Sequence, residues 1–253
     1  MLSMLCFNKV FAGELLVATA SNFATVLKEL IADFEARTTE DVSLVMSSSG
    51  KIYAQIVQGA PYDIFLSADT DKPERLERAG LVVPKSRFTY ARGSLVLWSV
   101  NPTLLSNSPQ SLIDAEFSKI ALANAKLAPY GQAAEEVLSA LGLSDSTQHK
   151  WVRGDNVAQV YQFIESGNAE LGFVAKSQIL QEGRLKKGSV WYIPSSFYSA
   201  IEQDAVILKQ SKNPALAAQF MAFLASDHAK QIIMNYGYAH FDGAALNSMQ
   251  GEN

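Results

Sequence analysis

Small polar residues stand at four points where a β-rich run gives way to a helical pattern. Each point offers hydroxyl groups and first-turn backbone N–H groups, which have no partner inside their own helix. Several helix N-termini facing one point would form an anion site, because the positive end of each helix dipole favours negative charge. Two junctions come from each half of the chain, which predicts a cleft between two lobes. The junctions are A-T-A-S-N (18–22), S-S-S-G-K (47–51), A-P-Y-G-Q (128–132) and G-D-N-V (154–157).

Each junction taken alone has a simpler interpretation, since Ser, Asn and Asp ordinarily cap helix N-termini. The functional interpretation therefore depends on the recurrence of the pattern. It also depends on Gly50 and Gly131, which stand just inside two of the helices and would let a ligand approach the backbone closely.

Residues 48–51 also match S-x-x-K, a motif of penicillin-binding enzymes. This match raises the hypothesis of a serine hydrolase that uses Ser49 and Lys51. The companion S-D-N and K-T-G boxes are absent from the sequence. No histidine offers itself as the base that such a nucleophile needs. We therefore expect no catalytic residue.

The composition excludes several other classes of function. The only cysteine is Cys6, and His149, His228 and His240 have no metal-binding spacing, so we expect no bound metal cation and no cofactor. The formal net charge is −4, from 21 Lys and Arg against 25 Asp and Glu. No basic block interrupts this balance, which argues against a nucleic-acid partner.

Short apolar strands alternate with amphipathic helices along the chain, and this alternation predicts an α/β fold with parallel sheets. No flexible linker separates the two halves. We therefore expect two α/β lobes joined by two crossover strands, near 89–94 and 196–204. The predicted first lobe is discontinuous, with residues 13–90 plus 203–253, and the second lobe spans 91–202.

The first residues, M-L-S-M-L-C-F-N-K-V-F-A-G, are mostly apolar and end in small side chains. Residues 1–12 are predicted to be a secretory signal segment that is cleaved near Ala12. An ordinary N-terminal extension is the alternative. Cleavage would remove Cys6, which suits a compartment where a stray thiol is a hazard.

Longer stretches of the sequence resemble the periplasmic molybdate-binding proteins of ABC importers. The resemblance covers about 15–238, and it is carried by A-T-A-S-N-F, S-S-S-G-K-I-Y-A-Q-I-V-Q-G-A-P-Y-D-I-F-L-S-A-D, N-A-K-L-A-P-Y-G-Q-A-A-E-E-V-L, G-D-N-V-A-Q-V, A-E-L-G-F-V-A and N-Y-G-Y. It implies a type II periplasmic-binding-protein fold that closes over one tetrahedral oxyanion. It also implies a monomer in the periplasm, molybdate or tungstate as the ligand, and an ABC membrane permease as the partner.

The resemblance also implies the residues that hold the anion. Carried over by position, they are Ser21 and Asn22 at the first junction, Ser49 at the second, and Tyr130 and Val157, through their backbone N–H groups, at the third and fourth. Some members of the family have a tyrosine that reaches the anion where this chain has Ala175. Asn22 and Tyr130 would then replace that contact.

Three alternatives stay open at this point. The chain would be a receptor for another oxyanion, such as sulfate or phosphate, or for a small organic anion, if the cavity has a different size. It would be the Ser49/Lys51 hydrolase if it turns over an ester or amide. A cytoplasmic regulatory domain that senses the same anion would instead lack signal cleavage and have a partner domain.

Overall fold

The computed structural model describes residues 14–114, 117–181 and 183–239, and it divides the strands between two five-stranded sheets and one two-stranded ribbon. The strands are β1 (Glu14–Ala20), β2 (Asp41–Ser47), β3 (Ile64–Leu66), β4 (Phe88–Gly93), β5 (Leu95–Ser99), β6 (Ile120–Ala123), β7 (Trp151–Gly154), β8 (Leu171–Ala175), β9 (Leu180–Gln181), β10 (Arg184–Leu185), β11 (Ser189–Tyr192) and β12 (Ile201–Ile207). The predicted signal segment, residues 1–12, lies outside the described residues.

Ten α-helices occur among the described residues. They are α1 (Ala24–Arg37), α2 (Ser49–Val57), α3 (Asp71–Arg78), α4 (Gln110–Ile113), α5 (Pro129–Ala140), α6 (Ser144–Thr147), α7 (Val157–Glu165), α8 (Lys176–Ile179), α9 (Pro214–Leu224) and α10 (Asp227–Asn235). Three 3-10 turns, Ser21–Phe23, Gln148–Lys150 and Ser195–Phe197, complete the helical structure in these parts of the chain. None of the described helices is both long enough and apolar enough to cross a membrane.

The first sheet has the strand order β2-β1-β3-β12-β4, and the second has the order β11-β5-β8-β6-β7. Strands β2, β1 and β3 are parallel, as are β7, β6 and β8. The prediction of parallel sheets is wrong for the remaining strands. In the first sheet β12 is antiparallel to β3 and β4, and in the second β5 is antiparallel to β8 and β11. These strands lie where the chain passes from one sheet to the other, so no helical crossover sets their direction.

Helices cover both faces of the first sheet. On one face, α1 packs with α9 and α10 through an apolar stripe that includes Leu27, Leu30 and Phe34. Phe34 contacts Phe220 edge to face at 5.1 Å. On the other face, α2 and α3 contribute Ile52, Ile56 and Leu76 to a smaller core. The C-terminal helices therefore pack on the sheet formed by the N-terminal strands.

The second sheet has its own core, which is built from α4, α5, α7 and the strands between them. Trp98 is only 1% exposed in this core and stacks on Tyr161 with ring centroids 5.0 Å apart. We call the first sheet with its helices the first lobe, and the second sheet with its helices the second lobe. The predicted fold class of two α/β lobes is confirmed.

Two connections join the lobes. Ser94 alone separates β4 of the first sheet from β5 of the second, and residues 193–200 lead back from β11 to β12. The predicted crossover segment 89–94 contains most of β4, and the predicted segment 196–204 contains the start of β12. These two strands pair in the first sheet, where Gly93 lies opposite Ile201. The exact residue boundaries of the lobes stay a prediction.

Candidate anion site between the lobes

The first junction follows β1 directly. The strand ends at Ala20, and the chain turns through the 3-10 turn Ser21–Phe23 before α1 begins. The sequence pattern predicts one helix over 22–37, whereas the structure starts it with this tighter turn. Ser21 and Asn22 are only 7% and 3% exposed. Both predicted site residues therefore lie inside the protein.

The second junction places two serines in different roles. Ser48 caps α2, because its Oγ accepts a hydrogen bond from the Lys51 N–H at 3.4 Å. Ser49 is the first residue of α2 and is fully buried. Its Oγ accepts a hydrogen bond from the Ala68 N–H at 2.9 Å. Because a hydroxyl that accepts can still donate, the Ser49 hydrogen is available for an anion.

The start of α2 touches the second lobe. The Gly50 N–H donates to the Leu127 carbonyl at 2.9 Å. A Cβ at position 50 would lie 3.0 Å from that carbonyl oxygen, a tight contact, so the close approach favours glycine. Next to it, Lys51 Nζ and Asp155 Oδ2 form an ion pair at 2.6 Å. These contacts describe lobes that are closed on each other.

The third and fourth junctions lie in the second lobe, on the other side of the contact between the lobes, which we call the seam. Tyr130 is in the first turn of α5, directly after Pro129, and is 2% exposed. Val157 is the first residue of α7 and is also 2% exposed. Asn156 caps α7 by accepting hydrogen bonds from the N–H groups of the next two residues beyond Val157. Helix α7 packs against the Ser21–Phe23 turn of the first lobe, so the junctions meet at one seam.

Gln178 fixes the start of α7 in a way that the sequence pattern did not indicate. Its Nε2 donates to the Val157 carbonyl at 3.2 Å, and its Oε1 accepts from the Ala175 N–H at 2.9 Å. Ala175 itself is fully buried. The residue that stands where some family members have a tyrosine is therefore tied, through Gln178, to a predicted site residue.

Asn22 also begins a buried polar network that the sequence analysis missed. Its Nδ2 donates to Gln203 Oε1 at 2.9 Å and to the Tyr238 hydroxyl at 3.0 Å. Gln203 Nε2 in turn donates to the Tyr130 hydroxyl at 3.4 Å. Both amide hydrogens of Asn22 are thus used inside the protein. We therefore expect Asn22 to contact the anion through its backbone N–H group. That Asn22 and Tyr130 replace the missing tyrosine contact stays a prediction.

The tyrosines of this network stay neutral. Burial raises the pKa of the Tyr130 phenol well above its ordinary value of 10.0, and the neighbouring Tyr238 acts in the same direction. Burial and Tyr238 raise the pKa of Tyr90 in the same way. The Tyr90 hydroxyl lies 3.0 Å from Gln203 Oε1. No negative charge from these phenols therefore opposes an anion at neutral pH.

The hydrolase hypothesis finds no supporting geometry. The Lys51 ammonium pairs with Asp155 across the seam, and the Ser49 hydroxyl accepts from a backbone N–H. Within 14–114, 117–181 and 183–239, no group of three or more His, Cys, Asp or Glu could hold a metal ion. The arrangement can therefore do one kind of chemistry well, which is to surround an anion with neutral hydrogen-bond donors.

Comparisons with known proteins agree with this geometry. The family model for bacterial extracellular solute-binding proteins matches residues 15–239. The chain is 44% identical to the molybdate-binding protein ModA of Azotobacter vinelandii over 227 residues, which cover 90% of each chain. It is 42% identical to ModA of Rhodobacter capsulatus over 228 residues, which cover 90% of this chain and 88% of that one.

Solved structures give the same result. The periplasmic molybdate-binding protein of Azotobacter vinelandii superposes with a TM-score of 0.88 at 43% identity, and the match covers 90% of this chain and 99% of that one. The sulfate-binding protein SubI of Mycobacterium tuberculosis superposes with a TM-score of 0.72 at 14% identity, covering 91% of this chain and 88% of that one. At that identity, the second likeness concerns the fold alone.

Proposed function

Since the chain belongs to the family of bacterial extracellular solute-binding proteins, we propose that it captures molybdate between its two lobes and delivers it to the membrane permease of an ABC importer. The observation that carries the proposal is the convergence of four strand-to-helix junctions at the seam, where the described residues form no cluster of metal ligands. The 44% identity to a molybdate-binding protein over 90% of both chains supports the choice of ligand.

We assign the anion contacts to five residues, each of which is buried at the seam. The hydroxyl groups of Ser21 and Ser49 donate to the oxyanion, together with backbone N–H groups of the first turns at Asn22, Tyr130 and Val157. The first-turn N–H groups suit this role because their helices leave them without partners. Each such bond to a charged acceptor is stronger than a neutral one.

The choice among anions follows from size and protonation. Molybdate and tungstate are nearly the same size and are larger than sulfate, so a cavity that fits the first two should discriminate poorly between them and reject sulfate. Phosphate is partly protonated near neutral pH and would need an acceptor. The proposed site offers donors only, which predicts that phosphate is rejected as well.

Location and partners complete the proposal. The protein works as a monomer in the periplasm, after removal of the signal segment 1–12, and it uses neither a cofactor nor a nucleic-acid partner. Closure of the lobes would be the state that the permease recognises. Because no full counter-charge holds the ion, it can leave when the lobes open.

Calorimetric titration of the purified protein tests this function. Molybdate and tungstate should each bind tightly with one ion per chain, and sulfate and phosphate should not bind. Binding of sulfate or phosphate in place of molybdate would leave the fold intact and reject the proposed ligand. An absence of binding for every oxyanion would reject the receptor.

A further inference from the structure

The phenol of Tyr130 lies directly over Gly93, at the part of the seam where β4 leads into β5. Gly93 is the last residue of β4, where the chain leaves the first lobe, and Tyr130 belongs to α5 of the second lobe. A Cβ at Gly93 would stand 2.1 Å from the Tyr130 hydroxyl oxygen and 3.0 Å from the ring carbon that carries it. Any side chain at position 93 is therefore incompatible with the tyrosine where it now lies.

Space, rather than backbone conformation, demands glycine at this position. Several glycines of the chain have a positive φ, among them Gly80 with 69°, but Gly93 is not one of them. An alanine at 93 would meet no backbone strain of that kind. The missing side chain thus forms a notch that receives a group from the opposite lobe.

Gln203 holds the phenol in this notch. It lies on β12, the other strand that joins the lobes, and is fully buried. Its amide nitrogen donates to the Tyr130 hydroxyl at 3.4 Å and would lie 2.7 Å from a Cβ at Gly93. Its oxygen accepts from Asn22 Nδ2 at 2.9 Å. One side chain therefore links a proposed anion-binding residue of the first lobe to one of the second.

We propose that Gly93 and Gln203 are positioning residues for closure, which seat the Tyr130 phenol only when the lobes close around the anion. The inference rests on the proposed function, because closure is what the ligand selects. Seating the phenol fixes the first turn of α5, whose N–H group is assigned to the anion. Gln203 bonds to both Tyr130 and Asn22, so the same contact that seats the phenol also fixes the position of Asn22. The hydrogen-bond donors of both lobes are thereby aligned in the closed state.

The test is the variant Gly93→Ala, with molybdate affinity and small-angle X-ray scattering as the two measurements. We expect Gly93→Ala to weaken molybdate binding by about 10- to 100-fold, since a methyl group overpacks the closed state. Wild-type protein should become more compact on adding molybdate, and the variant should not at the same concentration. Without ligand, the variant should still fold, with a slightly lower melting temperature than the wild type, because the new methyl group also lies 2.7 Å from Gln203 Nε2 inside the first lobe. Its contact with Tyr130 crosses between the lobes and should therefore affect binding more than folding.

A second substitution tests the identity of the clashing group. Gly93→Ala combined with Tyr130→Phe should bind molybdate roughly tenfold more tightly than Gly93→Ala alone, because the hydroxyl is gone. Gly93→Ala combined with Tyr62→Phe is the matched control. Tyr62 is also buried, but its hydroxyl bonds to Gln55 inside the first lobe, so this pair should show no recovery.

Gly80→Ala controls for a general loss of stability. Its backbone conformation strains an alanine, but nothing lies within 4 Å of the new methyl group, so its molybdate affinity should stay at the wild-type value. The inference is overturned if Gly93→Ala binds like the wild type, if Tyr62→Phe restores binding as well as Tyr130→Phe, or if Gly93→Ala fails to fold without ligand. A wild-type chain that binds no molybdate would instead reject the proposed function.

Discussion

Replacing Ser49 with alanine separates the binding role of this hydroxyl from its structural role. The side chain is fully buried, and its Oγ accepts the Ala68 N–H at 2.9 Å. In our account the same hydroxyl donates its hydrogen to the oxyanion. The substitution therefore removes one bond to the ligand and leaves one backbone N–H without its acceptor.

The two losses have separate magnitudes. A hydrogen bond to a charged group contributes about 1.5–3 kcal/mol, so molybdate affinity should fall by roughly 10- to 150-fold. The Ala68 N–H, at a residue that is 2% exposed, loses its partner, which should lower the free energy of unfolding by about 1–3 kcal/mol. Calorimetric titration measures the first effect, and urea denaturation without ligand measures the second.

Ser48→Ala is the matched control, because Ser48 is the adjacent serine and is 2% exposed. Its Oγ accepts from the Lys51 N–H at 3.4 Å and caps α2. Loss of the cap should cost about 1 kcal/mol of stability while leaving most of the molybdate affinity. The reasoning is refuted if Ser49→Ala binds molybdate like the wild type, or if Ser48→Ala loses as much affinity as Ser49→Ala.

Three further predictions concern the rest of the seam. Val157→Pro should bind molybdate roughly tenfold more weakly than Val157→Ala in calorimetry, because proline at the first helical position removes only the N–H; the extended backbone of Asn156 tolerates a following proline, and equal affinities would reject the backbone contact. Lys51→Met and Asp155→Asn should each weaken binding by less than about fivefold, since both side chains are nearly half exposed; the effect should vanish in high salt, and a loss that high salt leaves unchanged would contradict the exposed ion pair. Molybdate affinity should stay constant from neutrality to pH 10, because burial raises the pKa values of Tyr90 and Tyr130 well above 10.0 and both phenols therefore stay neutral in this range. Titrations in a pH series that show a steep loss of affinity in this range would contradict the neutral state of these phenols.

The sequence predicted the elements and the junctions because these depend on local patterns. Apolar spacing located α1 and the buried strands, and the Ser and Asn caps marked where α2 and α7 begin. The sequence analysis missed that β12 runs antiparallel in the first sheet and that β5 runs antiparallel in the second. Strand direction follows from the path of the chain between the lobes and not from local periodicity.

The sequence analysis missed the buried polar network that begins at Asn22, because the residues in contact are distant along the chain. Asn22 and Gln203 are 181 positions apart, and Asn22 and Tyr238 are 216 apart. A signal was nevertheless present, because Gln203 and Asp204 are polar residues that precede the apolar end of β12, and both are buried. Buried polar residues in a strand need partners, so this pair could have indicated a network without revealing its members.

The most direct test of the central claim is the molybdenum content of the protein after dialysis against molybdate in the presence of a large excess of sulfate. Elemental analysis by mass spectrometry then counts the bound ions. We expect one molybdenum atom per chain in the wild type, retained against sulfate, and less molybdenum in Ser49→Ala. A wild-type protein that carries no molybdenum under these conditions would contradict the claim that the seam between the lobes is a molybdate site.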